Sequence, residues 1–339
     1  MIRELTESFE PKNILHRKEQ MKVIEAVFKN FNEFGMASNL LIQGVTGSGK
    51  TTTTTRIIND HSDEKKNNVL FASGADTKTT FKTLRALFDI NCSTVEKLLA
   101  EGIKFLKKTP KILVIDEVNK IRDHENLFDN LNTLYRGTQC PIIIITNKRT
   151  VLDMMPEDAR LTLFFDKVEF PSYNALEIRD IIDDRLKDMS KIKFPKVPLS
   201  KICAYAGRQG SARVALQIVM KCVLANTYTE NYIDKIAKNL EREDWKTFTN
   251  ALTASEKRFL EALLYISDKK QFFRHSDLTL QLKDLSPSRI SQLVSAFEDY
   301  GILVTEYRNL GRGNGRYRVM RFVSSEIKVQ LEGVLYPPK

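Results

Sequence analysis

One short run in this chain has the residue types and spacing for phosphate chemistry. Gly44 to Thr55 reads GVTGSGKTTTTT, in which Gly44, Gly49, Lys50 and Thr51 satisfy G-x-x-x-x-G-K-[ST]. Glycines let backbone N–H groups converge on phosphate oxygens, and a helix opening at the lysine adds its positive N-terminal end. The loop through Gly44, Val45, Thr46, Gly47, Ser48 and Gly49 would therefore wrap the phosphates of ATP or ADP, with Lys50 reaching the β- and γ-phosphates. Of the five threonines, Thr51 is placed to bind Mg²⁺. Thr52 is the next candidate, within reach of the α-phosphate. Thr53, Thr54 and Thr55 lie deeper in the helix, each costing up to about 0.7 kcal/mol in helix propensity against alanine, and are expected to pack against a sheet.

Such a loop needs acidic and polar partners. In KILVIDEVNKI, four apolar residues, Ile112 to Ile115, carry Asp116 and Glu117 to the end of a buried strand, where ligands bind in parallel sheets. Asp116 would hold the Mg²⁺ shell, and Glu117 would orient and deprotonate the attacking water. PIIIITNK ends a further strand in Asn147, an amide that could touch the γ-phosphate or that water, and also a common turn former. In GRQGSARVAL, Arg213 falls in the first turn of a helix that Ser211 is expected to cap. A cation there opposes the helix dipole, which makes most sense with an anion opposite, such as the γ-phosphate. A solvated surface arginine is the plainer alternative.

The elements that must position these residues are legible as alternation. Apolar runs at 39–45, 68–73, 111–118, 141–147 and 166–170 are separated by helix-length segments, the pattern of an α/β domain with a parallel sheet covered on both faces. Residues 1–171 form that nucleotide-type domain. From 172 to 250 the patterns are helical, with a break around KFPKVP, and 251–339 form a third domain. There, after two helical stretches, Ser286 suits an N-cap, Pro287 the first helical position and Gly301 the closing turn. Ile290, Leu293, Val294 and Phe297 mark an inward face, leaving Ser288, Arg289, Ser291, Gln292 and Ser295 outward. Two alternating strands then flank Asn314-Gly315, a hairpin turn signal, and carry Arg308, Arg312, Arg316, Arg318 and Arg321 without an intervening acid. Helices followed by a basic hairpin form a winged-helix layout suited to duplex DNA, the outward helix face entering the major groove and the arginines meeting phosphates.

The composition of the 339 residues, 42% apolar and 28% charged, is that of a folded soluble protein, and no apolar run approaches a membrane span. The start MIRELTESFEP has no secretory apolar core, so a cytoplasmic, nucleoid-associated protein without a membrane partner is expected. Four scattered cysteines make neither a disulfide framework nor a zinc site. The net charge of +10 favours a polyanionic partner.

Taken together, these motifs resemble an AAA+ ATPase, with Walker A at 44–51, Walker B at 112–117, sensor 1 at Asn147 and sensor 2 at Arg213. More narrowly the chain resembles the archaeal Orc/Cdc-type replication initiators: ILHRKEQ at 14–20 is similar to that family's box beside the adenine, NTLYRG follows Walker B, and VEFPSYNALEI at 168–178 is close to its tyrosine run into the lid helix. The resemblance implies an AAA+ phosphate-loop domain, a small helical lid and a C-terminal winged helix. It places Leu15, Arg17 and Tyr173 beside the nucleotide and makes Arg160 the available arginine finger. Two features depart from the family: Asn119 stands where an acid is usual, and the 74–110 region, which normally carries a DNA-touching insertion, is short.

The expected function is a slow ATPase that binds origin duplex DNA through Ser288, Arg289, Gln292, Arg308, Arg312, Arg316 and Arg318, assembles as a homo- or hetero-oligomer on DNA, and helps recruit or load the MCM helicase. The DNA and helicase roles follow from the resemblance. A transcription regulator or mobile-element ATPase on the same scaffold, and a nucleotide-gated switch with negligible turnover, are the alternatives.

Overall fold

The computed structural model describes residues 2–6, 9–61, 68–148, 151–187, 189, 192–309 and 316–336. The chain divides into two compact units, Met1–Ile233 and Asp234–Lys339.

In the first unit, a 3-10 turn at Arg3–Leu5 and, over residues 9–17, an irregular stretch with bends and a turn precede α1 (Lys18–Phe34), β1 (Asn39–Gly44) and α2 (Lys50–His61). Next come β2 (Val69–Ser73), α3 (Gly74–Thr77), α4 (Thr80–Phe88), α5 (Val95–Lys108) and β3 (Ile112–Asp116). A 3-10 turn at Val118–Lys120 precedes α6 (His124–Thr138), and β4 (Ile142–Thr146), α7 (Glu157–Thr162) and β5 (Phe165–Phe170) complete the sheet. All five strands are parallel, in the order β2-β3-β4-β1-β5. Alternation along each buried strand fills two cores. Leu113, Ile115, Ile142 and Ile144 pack on one face with Leu98, Leu127 and Leu131 of α5 and α6. Ile112, Val114, Ile143 and Ile145 pack on the other with Ile24 and Phe28 of α1 and Ile57 of α2. Strands apolar on both faces read as continuous Ile/Leu/Val runs, which is why they stand out in the sequence.

The register pairs Gln43 with Thr146, Gly44 with Phe170 and Ser73 with Asp116, so the C-terminal strand ends share one edge. Helices α8 (Ala175–Lys187), α9 (Lys196–Gln209) and α10 (Ala212–Leu224) follow and pack on one another through Ile178, Ile182, Ile202, Ala206, Ala215 and Val219. Helix α11 (Glu230–Ala251) starts at the end of this unit and continues into the second.

The second unit holds α12 (Ala254–Ser267), α13 (His275–Gln281), α14 (Pro287–Asp299), the antiparallel pair β6 (Leu303–Asn309) and β7 (Arg316–Phe322), and α15 (Ser325–Leu335). Thr253 and Glu256 close a reciprocal capping box on α12. Ser286 accepts from the Arg289 N–H, Pro287 starts α14, and Gly301 follows it at φ 70°. Ile290, Leu293, Val294 and Phe297 are buried with Phe259, Leu263 and Phe273 in one core, and Phe273 adds a single bridge to Met320 of β7. Arg312 and the Asn314-Gly315 turn lie outside the described residues, as do the side chains of Arg308 and Arg316.

Candidate active site at the C-terminal edge of the sheet

Because β1 ends at Gly44 and α2 begins at Lys50, the intervening loop is forced across the strand-end edge. Gly47 and Gly49 sit at φ 79° and 90°, where a side chain is strained. A Cβ on Gly47 would meet the Ser211 hydroxyl, and one on Gly49 would lie 2.7 Å from the Tyr173 hydroxyl. The loop is thus clasped by the segments entering α8 and α10.

A cleft with about 1100 Å³ of empty space opens above this edge. Its lining includes Thr46, Gly47, Gly49, Lys50, Thr51, Thr52, Asp116, Glu117, Asn147 and Arg213. Residues more than 160 positions apart in sequence therefore converge on one cavity. The Thr51 hydroxyl donates to Asp116 Oδ2 at 2.7 Å, and the Glu117 N–H donates to Asp116 Oδ1 at 2.7 Å. Burial raises the Asp116 carboxyl above its ordinary pKa, against these hydrogen bonds and Lys50. Lys50 Nζ donates to the carbonyls of Gly44 and Val45 at 2.6 and 2.8 Å. Burial pulls its pKa down to about 8, with Asp116 opposing the shift and Arg213 adding to it.

Glu117 leaves the strand at φ 49°, an uncommon conformation for a non-glycine residue, and its carbonyl accepts from Lys120 N at 2.8 Å to start the 3-10 turn. Asn147 Nδ2 donates to Thr46 Oγ1 at 3.3 Å, tying the end of β4 to the phosphate loop. Asn119 Oδ1 accepts from Thr146 Oγ1 at 3.4 Å and from Asn147 N at 3.5 Å, so a residue just past β3 holds the end of β4.

Ser211 occupies the N-cap position of α10 without making a side-chain cap. Its side chain faces Gly47, and Ala212 N donates to the Gly47 carbonyl at 3.2 Å, so the phosphate loop takes up a free N–H of the helix. Among the later threonines, Thr54 bonds back to the Lys50 carbonyl at 3.0 Å, while Thr53 lines the cleft with its hydroxyl buried and unpartnered. The Ser48 hydroxyl is also buried and unpartnered.

Leu15 and Tyr173 line the cleft, whereas Arg17 does not. Its guanidinium is buried beneath the loop, donating to the carbonyls of Ser48 (2.9 Å), His16 (2.8 Å) and Pro171 (2.7 Å) and lying 3.7 Å from the Tyr173 ring centroid. Arg160, on α7, is outside the cleft and folds back on the carbonyls of Leu152, Asp153 and Met155.

Two contributors carry little local sequence signal. Gly74, just after β2, has the Glu117 carbonyl where a Cβ would stand, so it admits the turn that carries Glu117. A glycine ending an apolar run is the visible hint. Arg185 also lines the cleft, and nothing in ALEIRDIIDDRL separates it from a surface arginine.

In the second unit, Ser288, Arg289 and Gln292 are exposed on α14, with Arg289 Nη1 donating to Gln292 Oε1 at 3.1 Å. Arg318 pairs with Glu298 of α14 at 3.3 Å, and Arg321 with Glu306 of β6 at 2.6 Å. The backbone ladder places Arg308 opposite Tyr317 and Arg316 opposite Asn309, at the end entering the turn.

The AAA domain family matches residues 35–154. Over 346 residues the chain is 26% identical to ORC1-type DNA replication protein 2 of Thermoplasma acidophilum, covering 91% of this chain and 85% of that protein. Along most of its length the chain is similar to archaeal ORC1-type DNA replication proteins. The Picrophilus torridus ORC1-type protein is 24% identical, across 97% of this chain and 88% of its own length. Among solved structures, the Aeropyrum pernix ORC1 protein in complex with DNA superposes with a TM-score of 0.71 at 18% identity, covering 99% and 97% of the two chains. The Aeropyrum pernix ORC2 protein in ADPNP–ADP complexes gives 0.63 at 15% identity, covering 98% and 97%. The fold is the AAA+ phosphate-loop fold of the Orc1/Cdc6 structures, and the resemblance read from 14–20, 44–51 and 168–178 agrees with these relatives.

Proposed function

We propose that the protein is an ATP-controlled, DNA-binding replication initiator that recognises origin duplex and helps recruit or load the MCM helicase. The observation that carries the nucleotide part is the convergence of Lys50, Thr51, Asp116, Glu117, Asn147 and Arg213 on one cleft. The DNA part is supported by the DNA-bound ORC1 neighbour and by the exposed polar face of α14. The helicase and the oligomer on DNA rest on the kinship alone. We keep the division at residues 171 and 250, with a winged helix from 251, as part of this reading.

Mg²⁺ fits the chain's own donors. Adjacent ligands of an octahedron with about 2.0–2.1 Å bonds are about 2.9 Å apart, close to the 2.7 Å between Thr51 Oγ1 and Asp116 Oδ2. No group of three or more acidic, histidine or cysteine side chains able to hold a metal occurs among the described residues, as suits an ion completed by nucleotide oxygens and water. When bound, the ion neutralises charge on the transferring phosphoryl. Lys50 leaves its loop carbonyls to meet phosphate oxygens, Asn147 and Arg213 orient the γ-phosphate end, and Glu117 takes the proton of the attacking water.

Glu117→Gln tests the enzymatic part. It should retain ATP and lower single-turnover hydrolysis by about 10²- to 10⁴-fold. Wild-type turnover in that variant would remove Glu117 from the role of base. Footprinting on the native genome tests the initiator part: protection of a few replication-start repeats supports it, and protection of promoters favours a transcription regulator.

A further inference from the structure

The segment before α1 is built as a strap, and one buried arginine holds it. Its described residues, 2–6 and 9–17, are tied on one side to α2, the helix that follows the phosphate loop: Arg56 Nη1 donates to the Lys12 carbonyl at 3.2 Å and Asn59 Nδ2 to Glu10 Oε2 at 3.0 Å. On the other side they are tied to α8. His16 meets Asp180 at 2.9 Å, Asn13 Nδ2 donates to Asp184 Oδ1 at 3.5 Å, and Arg185 Nη1 donates to the carbonyls of Glu4 and Phe9 at 3.3 and 3.4 Å. The Arg185 guanidinium also lies 4.7 Å from the centroid of the Phe9 ring. Between these anchorages the strap forms one wall of the cleft. Pro11, Ile14 and Leu15 face the same cavity as Ile181 and Arg185 of α8 and Leu216 of α10.

Arg185 is only 9% exposed and makes no ion pair among the described residues. Burying an unpaired cation is costly, and an apolar side chain would fill the space without that cost. Both of its hydrogen-bond acceptors are strap carbonyls, and burial holds its pKa below the ordinary arginine value. The charge is therefore spent on fastening the strap to α8, which a planar guanidinium with several donors does better than an ammonium.

We infer that Arg185 is a positioning residue, a latch that keeps the strap of residues 2–6 and 9–17 against α8 along one wall of the cleft and so sets how fast a bound nucleotide leaves. This rests on the nucleotide reading of the cleft. An occupant held between Leu15, Ile181 and Leu216 has the strap for one of its walls, so parting of the strap from α8 or from α2 widens its way out. On the α8 side the part-buried Arg185 bonds stand beside the exposed His16–Asp180 and Asn13–Asp184 contacts, whereas the α2 contacts of Lys12 and Glu10 are both exposed.

The test is release of the fluorescent nucleotide N-methylanthraniloyl-ADP from the full chain by stopped flow, with hydrogen exchange of the ADP-bound protein as a second readout. Arg185→Met keeps the apolar stem and removes the donors. It should speed release by about tenfold and raise exchange in residues 2–17 while the five strands keep wild-type protection. Arg185→Lys should recover part of the loss. Phe9→Leu approaches the same contact from the strap, leaving α8 intact, and its effect should be less than additive with Arg185→Met. Wild-type release rates in both variants, or faster release with unchanged strap exchange, would overturn the latch. If the wild-type protein binds no N-methylanthraniloyl-ADP, the nucleotide reading itself falls, and the latch with it.

Discussion

Arg17 shows how one side chain can be found by motif and still do something other than the motif suggests. Its place in ILHRKEQ puts it beside a nucleotide by resemblance, and the geometry puts it one layer below, holding the Ser48 carbonyl of the phosphate loop and the Pro171 carbonyl after β5. Both roles use the same chemistry, a planar cation with five donors, so residue type alone does not separate them. At 1% exposure, truncation would strand three carbonyls and the Tyr173 ring. Arg17→Met is expected to cost about 3 kcal/mol or more in urea unfolding followed by a probe in the first unit, with Arg17→Lys recovering part. Equal stability of wild type and Arg17→Met would show that those bonds are exchanged for water at no loss. Lys50, Thr51, Asp116 and Glu117 were legible because their chemistry is encoded in short, contiguous spacing. Arg185, Gly74 and the linking role of Asn119 were not, since each is defined by a partner 27 to 181 positions away.

At the scale of elements, the turn after β3 is the part of the site whose geometry has least slack. Glu117 begins it in a left-handed conformation, Gly74 gives it room, and His124 at the start of α6 meets the Val118 carbonyl through Nε2 at 3.1 Å. Burial, with help from Lys148, holds the His124 imidazole below its ordinary pKa, while Val118 and Asp123 pull the other way. The folded chain thus refuses a proton that the unfolded chain accepts near pH 6.5. That contribution to stability is complete above about pH 6.5 and is lost as pH falls toward the folded value. Urea midpoints between pH 7.5 and 5.5 should fall more steeply for the wild type than for His124→Gln, and parallel slopes would mean that His124 titrates alike in both states. The strands were legible to within about two residues: β1, β3 and β4 are apolar on both faces and end in Gly44, Asp116 and Thr146, whereas β5 stands out by its alternation, with Phe165, Val168 and Phe170 buried between exposed Asp166, Lys167 and Glu169. The Ser211 cap was not, because the sequence says which residue can cap a helix but not which neighbouring loop competes for it.

For the whole molecule, the net charge of +10 indicates a polyanion without locating it, and the register of the second unit redistributes what the sequence seems to concentrate. Five arginines between 308 and 321 read as one basic block, yet folding brings Glu298 to Arg318 and Glu306 to Arg321. Neither acid is in that stretch, so counting charges along it overstates the field. Under the proposed DNA reading, the arginines of β6 and β7 left for phosphates are Arg308 and Arg316, whose backbone positions fall at the turn end of the ladder. Duplex affinity of the full chain against KCl concentration separates the two kinds of arginine. Removing one arginine–phosphate pair lowers the slope of log K against log salt by about 0.9. Arg316→Ala should weaken binding and flatten the slope by about that amount. Arg318→Ala, which removes the tie from β7 to Glu298 and leaves Thr305 of β6 bonded to it, should weaken binding with the slope near wild type. Equal flattening in both variants would mean that the Arg318–Glu298 pair opens on DNA and that the whole block acts as the sequence first suggests. Unchanged affinity in both would take the hairpin out of the DNA interface.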